Sequence, residues 1–271
     1  MRLSISHTTQ YEFSQPVVHG LQRLHLKPKS THGQEVLEWT MRLDGAKEEV
    51  EYEDQHHNST TLVSVEPGVS VVTITCSGKI DTSDNSGIIG RHSGHMPLWA
   101  FLTQTPLTQP GPKIRALASS VASDDENTIE TLHALSKRVL EEVRYETGHT
   151  EADTPAEEAM AAGHGVCQDH AHIFIGAARQ LGIPARYVSG YLMMDDRIDQ
   201  EAGHGWTEAF VGGLGWVGFD VSNGISPDAR YVRVATGCDY NDAAPVRGLS
   251  FGAGDSVLAV RLAVEQHLSE Q

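Results

Sequence analysis

Residues 163–172 read GHGVCQDHAH, a single thiol, Cys167, with His164, His170 and His172 within five positions of it. A thiol at neutral pH is mostly protonated and attacks only as the thiolate, so its surroundings decide whether it does chemistry. Downstream, Ala171, Phe174, Ile175, Ala178 and Leu181 recur at three- and four-residue spacing, and Gly182 precedes Pro184. That is the buried stripe and the stop of a helix. Cys167 therefore sits at a helix N-terminus, where the dipole and unpaired amides favour an anion. Gly163 and Gly165 leave the approach to the sulfur open, as an acyl substrate and an oxyanion both require.

A thiolate nucleophile needs an imidazole, and the imidazole needs an acceptor to fix its ring. HGWTEAFVGGLGWVGFDVSN, from His204, reads as two strands around a glycine-rich loop and carries both. A three-residue loop of Gly212, Gly213 and Leu214 pairs Val211 with Gly215. One face then holds Gly205, Thr207, Ala209, Val217, Phe219 and Val221, and the other His204, Trp206, Glu208, Phe210, Trp216 and Asp220. Imidazole and carboxylate become diagonal neighbours. A two-residue Gly-Gly loop would send them to opposite faces, so the reading stands on the loop length.

The same residues allow other chemistry. Cys167, His164, His170 and His172 have the ligand types of a zinc cluster, but Cys167 and His172 are five residues apart on a helix and point apart, and no second ligand pair at conventional spacing follows. No metal and no other cofactor is expected. Trp206 and Glu208 share the face of His204 and are candidates for lining the cleft or supporting the imidazole, against the plainer readings of core aromatic and salt-bridged strand residue. Cys76 lies in a strand without a base in view, and Cys238 reads as packing or pocket lining.

The elements that must position these groups follow from the remaining pattern. The 271 residues fit two units. LSISHTTQYEF, LVSVE and VSVVTITCSGKI, with DG, PG and SG turn signals between, predict antiparallel sheet through about Trp99. TQTPLTQPGPK at 103–113 has the composition of a connector, which places a β-rich unit at 1–105 and a second unit at 106–271. In the second, Ile129, Leu132, Leu135, Val139, Leu140 and Val143 mark a helix face that Ser123 and Asp124 would cap, within the acidic SDDE run. Thr154-Pro155-Ala156-Glu157 reads as an N-cap, a first-turn proline and a capping box, and Gly163 as the stop. ARYVSGYLMM, the hairpin, VRVATG and SVLAVRLAV follow as strands. The expected class is α+β, helices first and antiparallel sheet after.

Composition narrows the partners. A formal charge of −16 with no Lys/Arg cluster repels phosphate backbones, so nucleic acid is not expected. No window approaches the apolar run of a membrane span, the start MRLSISHTTQYEF lacks the apolar centre of a secretory signal, and three dispersed cysteines do not make a disulfide framework. The expected setting is cytoplasmic, with reduced thiols.

GVCQDHAH around Cys167, GIPARYVSGY at 182–191, HGWTEAF from His204, GWVGFDVSNG through Asp220 and VRVATGCDYNDAAPVRG together resemble the bacterial transglutaminase-like family, whose core is similar to that of papain-like cysteine proteases. The first hundred residues look like the amino-terminal domain that accompanies this core in bacteria. The resemblance implies Cys167 as nucleophile, His204 as general base and acid, Asp220 as the group that orients the imidazole, and His172 as a supporting residue. It implies a protein or peptide substrate whose peptide, isopeptide or glutaminyl amide passes through a thioester. A peptide-binding module on the same fold is the alternative. The chain departs from the family in having Gly205 where alanine is usual, Val221 and Ser222 where proline and threonine are usual, Cys238 for arginine and His170 for an aromatic.

Overall fold

The computed structural model describes residues 1–122 and 128–267. The SDDE run and the cap assigned to Ser123 and Asp124 lie outside the described residues. Strands β1 (Arg2–Phe13), β2 (His19–Lys27), β3 (Gln34–Asp44), β4 (Ala46–Glu53), β5 (Ser59–Val65), β6 (Val71–Thr82) and β7 (Ile88–Gly90) come first. Helices α1 (Pro112–Val121) and α2 (Thr128–Glu142), strand β8 (Arg144–Tyr145), helix α3 (Ala156–Ala162), strand β9 (His164–Gly165) and helix α4 (Cys167–Gln180) follow. The chain finishes with β10 (Ala185–Leu192), β11 (Asp199–Gln200), β12 (His204–Val211), β13 (Gly215–Phe219), β14 (Tyr231–Gly237), helix α5 (Tyr240–Ala243), β15 (Val246–Phe251) and β16 (Ser256–Gln266). The class is α+β, as the pattern predicts. Among the described residues no helix is long and apolar enough to cross a membrane.

Three sheets carry the molecule, in the orders β11-β16-β1-β6-β3, β15-β2-β5-β4 and β14-β10-β12-β13-β7. The first two build the β-rich unit and the third is the floor of the second unit. On its helical side, α1, α2 and α3 surround α4, so residues 169–179 of α4 are buried on every side and not merely along the expected stripe. Ile114, Leu135, Phe174, Val217 and Phe219 fill the space between helices and sheet with at most 1–2% exposure. A helix so enclosed must be small-sided where neighbours come close: a methyl on Gly176 would lie 2.4 Å from the Thr108 carbonyl oxygen. Arg179, near the end of α4, turns inward and donates to the carbonyls of Phe101, Ala185 and Cys238, tying three connections to one point.

Residues 246–266, grouped by the sequence reading with the second unit, form strands of the first unit's sheets. β15 pairs with β2 and β16 lies along β1 over eleven residue pairs. β7, from the first half, conversely adds to the edge of the third sheet. The units are stitched further by an apolar cluster of Leu3, Ile5, Ile80, Tyr191, Val232 and Val264. β14 is an edge strand whose outer amides need partners. Gln34 donates to the Arg233 carbonyl at 2.9 Å and accepts from its N–H at 2.8 Å, and Asn58 does the same with Thr236 at 2.7 and 2.8 Å. Two side-chain amides from the first unit thus stand in for a missing strand.

One local expectation is corrected. Pro155, not Thr154, takes the N-cap position of α3, and the Thr154 hydroxyl accepts from the Glu151 N–H instead. With the cap one residue later, Glu157 falls at the second helical position and not at the third that a capping box uses, and it reaches across instead. Its carboxylate accepts from the N–H groups of Gly111, Lys113 and Ile114, capping α1 from a neighbouring helix. Glu157→Ala should therefore destabilise the fold by ~1–2 kcal/mol, with Glu157→Gln nearer the parent, measured by urea unfolding.

Candidate active site

α3 ends on Gly163 in the left-handed conformation (φ +74°), and β9 delivers the chain to Val166, the N-cap of α4. Valine has no side-chain acceptor for the first turn, but Asp169 supplies the other half of a cap: its Oδ2 accepts from the Val166 N–H at 2.7 Å and from the Thr150 hydroxyl at 2.7 Å. A methyl on Gly165 would fall 2.7 Å from the Asp169 Cβ. The glycines expected to open the way to the sulfur thus serve a helix stop and a close packing. Cys167 is the first residue of α4, partly exposed, with its thiol free.

The hairpin has the register that the three-residue loop requires. Val211 opposes Gly215 and Thr207 opposes Phe219, and Gly213 turns the loop with φ +84°. Asp220 follows β13 directly and is held to Ile225 by a pair of backbone bonds. His204 Nε2 lies 2.6 Å from Asp220 Oδ2, which also accepts from the Tyr231 hydroxyl and from Asn223 Nδ2, each at 2.7 Å. With Nε2 engaged, Nδ1 is the nitrogen left free, and His204 and Cys167 line the same cavity. Burial alone would lower the His204 pKa, but the bond to Asp220 and the adjacent thiol outweigh it and push the value up to about 10. Burial would raise the Asp220 carboxyl, yet His204, Asn223 and Tyr231 hold it below the ordinary aspartate range.

The other residues singled out fall in three places. Trp206, 2% exposed, backs the imidazole with ring centroids 6.0 Å apart and abuts Tyr231 at 5.4 Å. His172 lies wholly buried under Tyr187; burial lowers it to about 3, and its neutral Nε2 accepts from the Tyr240 N–H at 3.1 Å. Glu208 points away from the thiol into a buried ion cluster, 2.6 Å from Arg186 Nη2 and 2.9 Å from Arg233 Nε. Arg186 in turn covers the Trp216 ring at 3.9 Å. The histidines of the zinc reading part company: His170 binds the Ser222 hydroxyl at 2.9 Å, tethering the Asp220 turn to α4, and His164 packs against His149 with tilted rings.

Tyr231, Asn223 and Ser222 were not singled out beforehand as members of the site. Ser222 and Asn223 stand two and three residues beyond Asp220, and the DVSN turn is their signal. Tyr231 arrives from β14, and no local pattern links it to Asp220. Cys167 and His204 open into a cavity of about 410 Å³ whose remaining wall includes Tyr187 and Tyr240 of this unit and His7, Thr9 and His25 of the first.

A family model described as the transglutaminase-like superfamily matches residues 115–221, and one described as the bacterial transglutaminase-like N-terminal region matches residues 3–81. An uncharacterized protein of Mycobacterium tuberculosis is 28% identical over 291 residues, spanning 97% of this chain and 92% of the relative. Another, of Mycobacterium leprae, is 25% identical over 277 residues and 96% of each. Among solved structures, a "Putative Cysteine Protease" from Cytophaga hutchinsonii superposes with a TM-score of 0.80 at 22% identity, over 100% of this chain and 92% of that one. The likeness shows the same fold.

Two outcomes are expected. Since Asp220 raises the His204 value, Asp220→Asn should bring the imidazole titration down from about 10 by ~1–3 pH units, read by NMR of the ring carbons. A raised histidine contributes stability that is complete below its unfolded value of ~6.5 and is lost as pH rises through about 10; the depressed Asp220 contributes above ~3.9 and fades on acidification. Glu208→Ala leaves the buried Arg186 and the partly exposed Arg233 without their shared anion and should cost ~3–5 kcal/mol in chemical unfolding.

Proposed function

Because the chain belongs to the bacterial transglutaminase-like family through both its N-terminal region and its core, we propose that it is a cysteine-dependent enzyme that cleaves or transfers amide bonds of proteins or peptides. The observation that carries this reading is one imidazole placed between a thiol at a helix start and a buried carboxylate 2.6 Å away. Cys167 is the nucleophile, His204 the general acid and base, and Asp220 the acceptor that fixes the ring.

An imidazolium beside the sulfur and the N–H groups of the first turn of α4 stabilise negative charge on Cys167. The thiolate adds to the amide carbonyl, and the developing oxyanion is received by backbone N–H groups at the helix start, that of Cys167 among them. As the C–N bond breaks, His204 gives its proton to the leaving amine and a thioester remains. In the second half His204 takes a proton from water, whose attack releases a carboxylic acid, or from an acceptor amine, whose attack forms a new amide. Asp220 stays ionised throughout and holds the imidazolium by charge and by hydrogen bond. Tyr231 and Asn223 keep the carboxylate in place.

Iodoacetamide labelling tests the activated sulfur, and intact mass after incubation with peptide libraries tests the thioester. Cys167 should alkylate fast, and His204→Ala should slow it on the order of tenfold or more at pH 7. Peptide amides should leave an acyl adduct on Cys167 that Cys167→Ala abolishes, and Asp220→Asn should lower turnover by ~10²–10⁴. Slow labelling like that of a free thiol, with no adduct, would instead favour a peptide-binding module.

A further inference from the structure

Tyr187 packs closely against the glycine that follows His204. On β10 it opposes Thr207 of β12, and its ring is wedged between His172, with centroids 5.3 Å apart, and Tyr240, at 5.9 Å and edge-on. Held on both sides, the phenol has one direction in which to project, toward β12. A methyl group built on Gly205 would stand 2.0 Å from the Tyr187 hydroxyl oxygen and 2.8 Å from the carbon that bears it. No side chain at 205 coexists with the hydroxyl where it is. Gly205 is thus the condition for Tyr187 to reach the floor of the cavity beside His204.

The hydroxyl has no hydrogen-bond partner among the described residues, although the tyrosine is 2% exposed and lines the cavity that Cys167 and His204 share. Burial holds its pKa well above the usual phenol value, so it is a neutral donor. A donor that no protein group satisfies and that faces the cavity is open to an acceptor on whatever enters. The rest of the wall defines what can enter. It has no lysine or arginine among the described residues, and Glu201 is its one carboxylate. On the side of the first unit, His7 is bonded to the Tyr191 hydroxyl and to Thr9, and burial keeps it uncharged, with a pKa near 4. Leu26, Val234 and Val260 add apolar surface. A charged side chain there would be desolvated without a partner, whereas an uncharged one with an acceptor atom would satisfy Tyr187.

We propose that Tyr187 is a specificity-determining substrate contact: its hydroxyl, seated in the space left by Gly205, donates to an uncharged, hydrogen-bond-accepting side chain adjoining the reacting amide. The inference rests on reading the cleft as an amide-binding site and adds the class of residue it selects.

The test uses the full chain and blocked dipeptide anilides that differ in the residue before the reacting carbonyl's own, which is Gln, Glu, Lys or Met. Binding is read as protection of Cys167 from iodoacetamide, which needs no turnover, and catalysis as aniline release. The Gln compound should protect at least tenfold better than Glu or Lys and ~3–10-fold better than Met. Tyr187→Phe keeps the ring packing and should erase the Gln-over-Met preference by raising KM while kcat stays within about twofold, with the pH profile of alkylation unchanged. Gly205→Ala should displace the hydroxyl and erase the same preference, and the double variant should lose nothing further. Equal protection by charged and uncharged compounds, no protection by any of them, or a Gln-to-Met ratio that survives Tyr187→Phe overturns the inference. Protection in the expected order without aniline release or an acyl adduct overturns the proposed enzyme and leaves the specificity contact standing.

Discussion

Asp220 is a carboxylate with no exposed surface, and a charge so placed is tolerated only when its lone pairs are filled. Much of the second unit is arranged to fill them. The hairpin must have an odd loop so that His204 and Asp220 share a face, the turn after β13 must bring Asn223 back, and β14 must run where Tyr231 can donate to the same oxygen. His170 of α4 fastens that turn through Ser222, so the helix that starts with Cys167 and the strands that carry the imidazole and the acid are referenced to one another. Anchoring the acid thus holds the imidazole at the cavity that Cys167 also lines.

The β-rich unit is part of this arrangement and not an appendage. It completes the edge of the sheet through Gln34 and Asn58, supplies one wall of the cavity through His7, Thr9 and His25, and receives the chain's last two strands. Polar residues occupy inward positions of β1 where that strand faces the cavity, after the apolar Leu3 and Ile5 that face the seam. The alternation of one strand thus serves two purposes along its length.

Where local signals were read too simply, a neighbour had taken over the group. Glu157 has capping-box spacing from Thr154, but with Pro155 at the N-cap it stands one position too early and caps a different helix. Glu208 shares a face with His204, but Arg186 and Arg233 arrive from flanking strands and bind it away from the thiol. Gly165, read as clearance for a substrate, also makes a close contact with Asp169, while Gly163 stops α3 as its position predicts. The partners of Glu157 and Glu208 are distant in sequence, and spacing rules see only nearby residues.

The sequence by itself determined the α+β class, the helix that begins at Cys167, and the hairpin and its faces, and with them the pairing of His204 with Asp220, because apolar periodicity and turn chemistry act over a few residues and leave a local trace. Tertiary structure alone decided that the final strands return to the first unit's sheets, that Tyr231 completes the Asp220 environment, that Glu208 is an ion-cluster residue, and that Tyr187 fills the space beside Gly205. These depend on which surfaces are buried against which. A side chain at a given spacing can meet several such demands, and only the packed arrangement selects one.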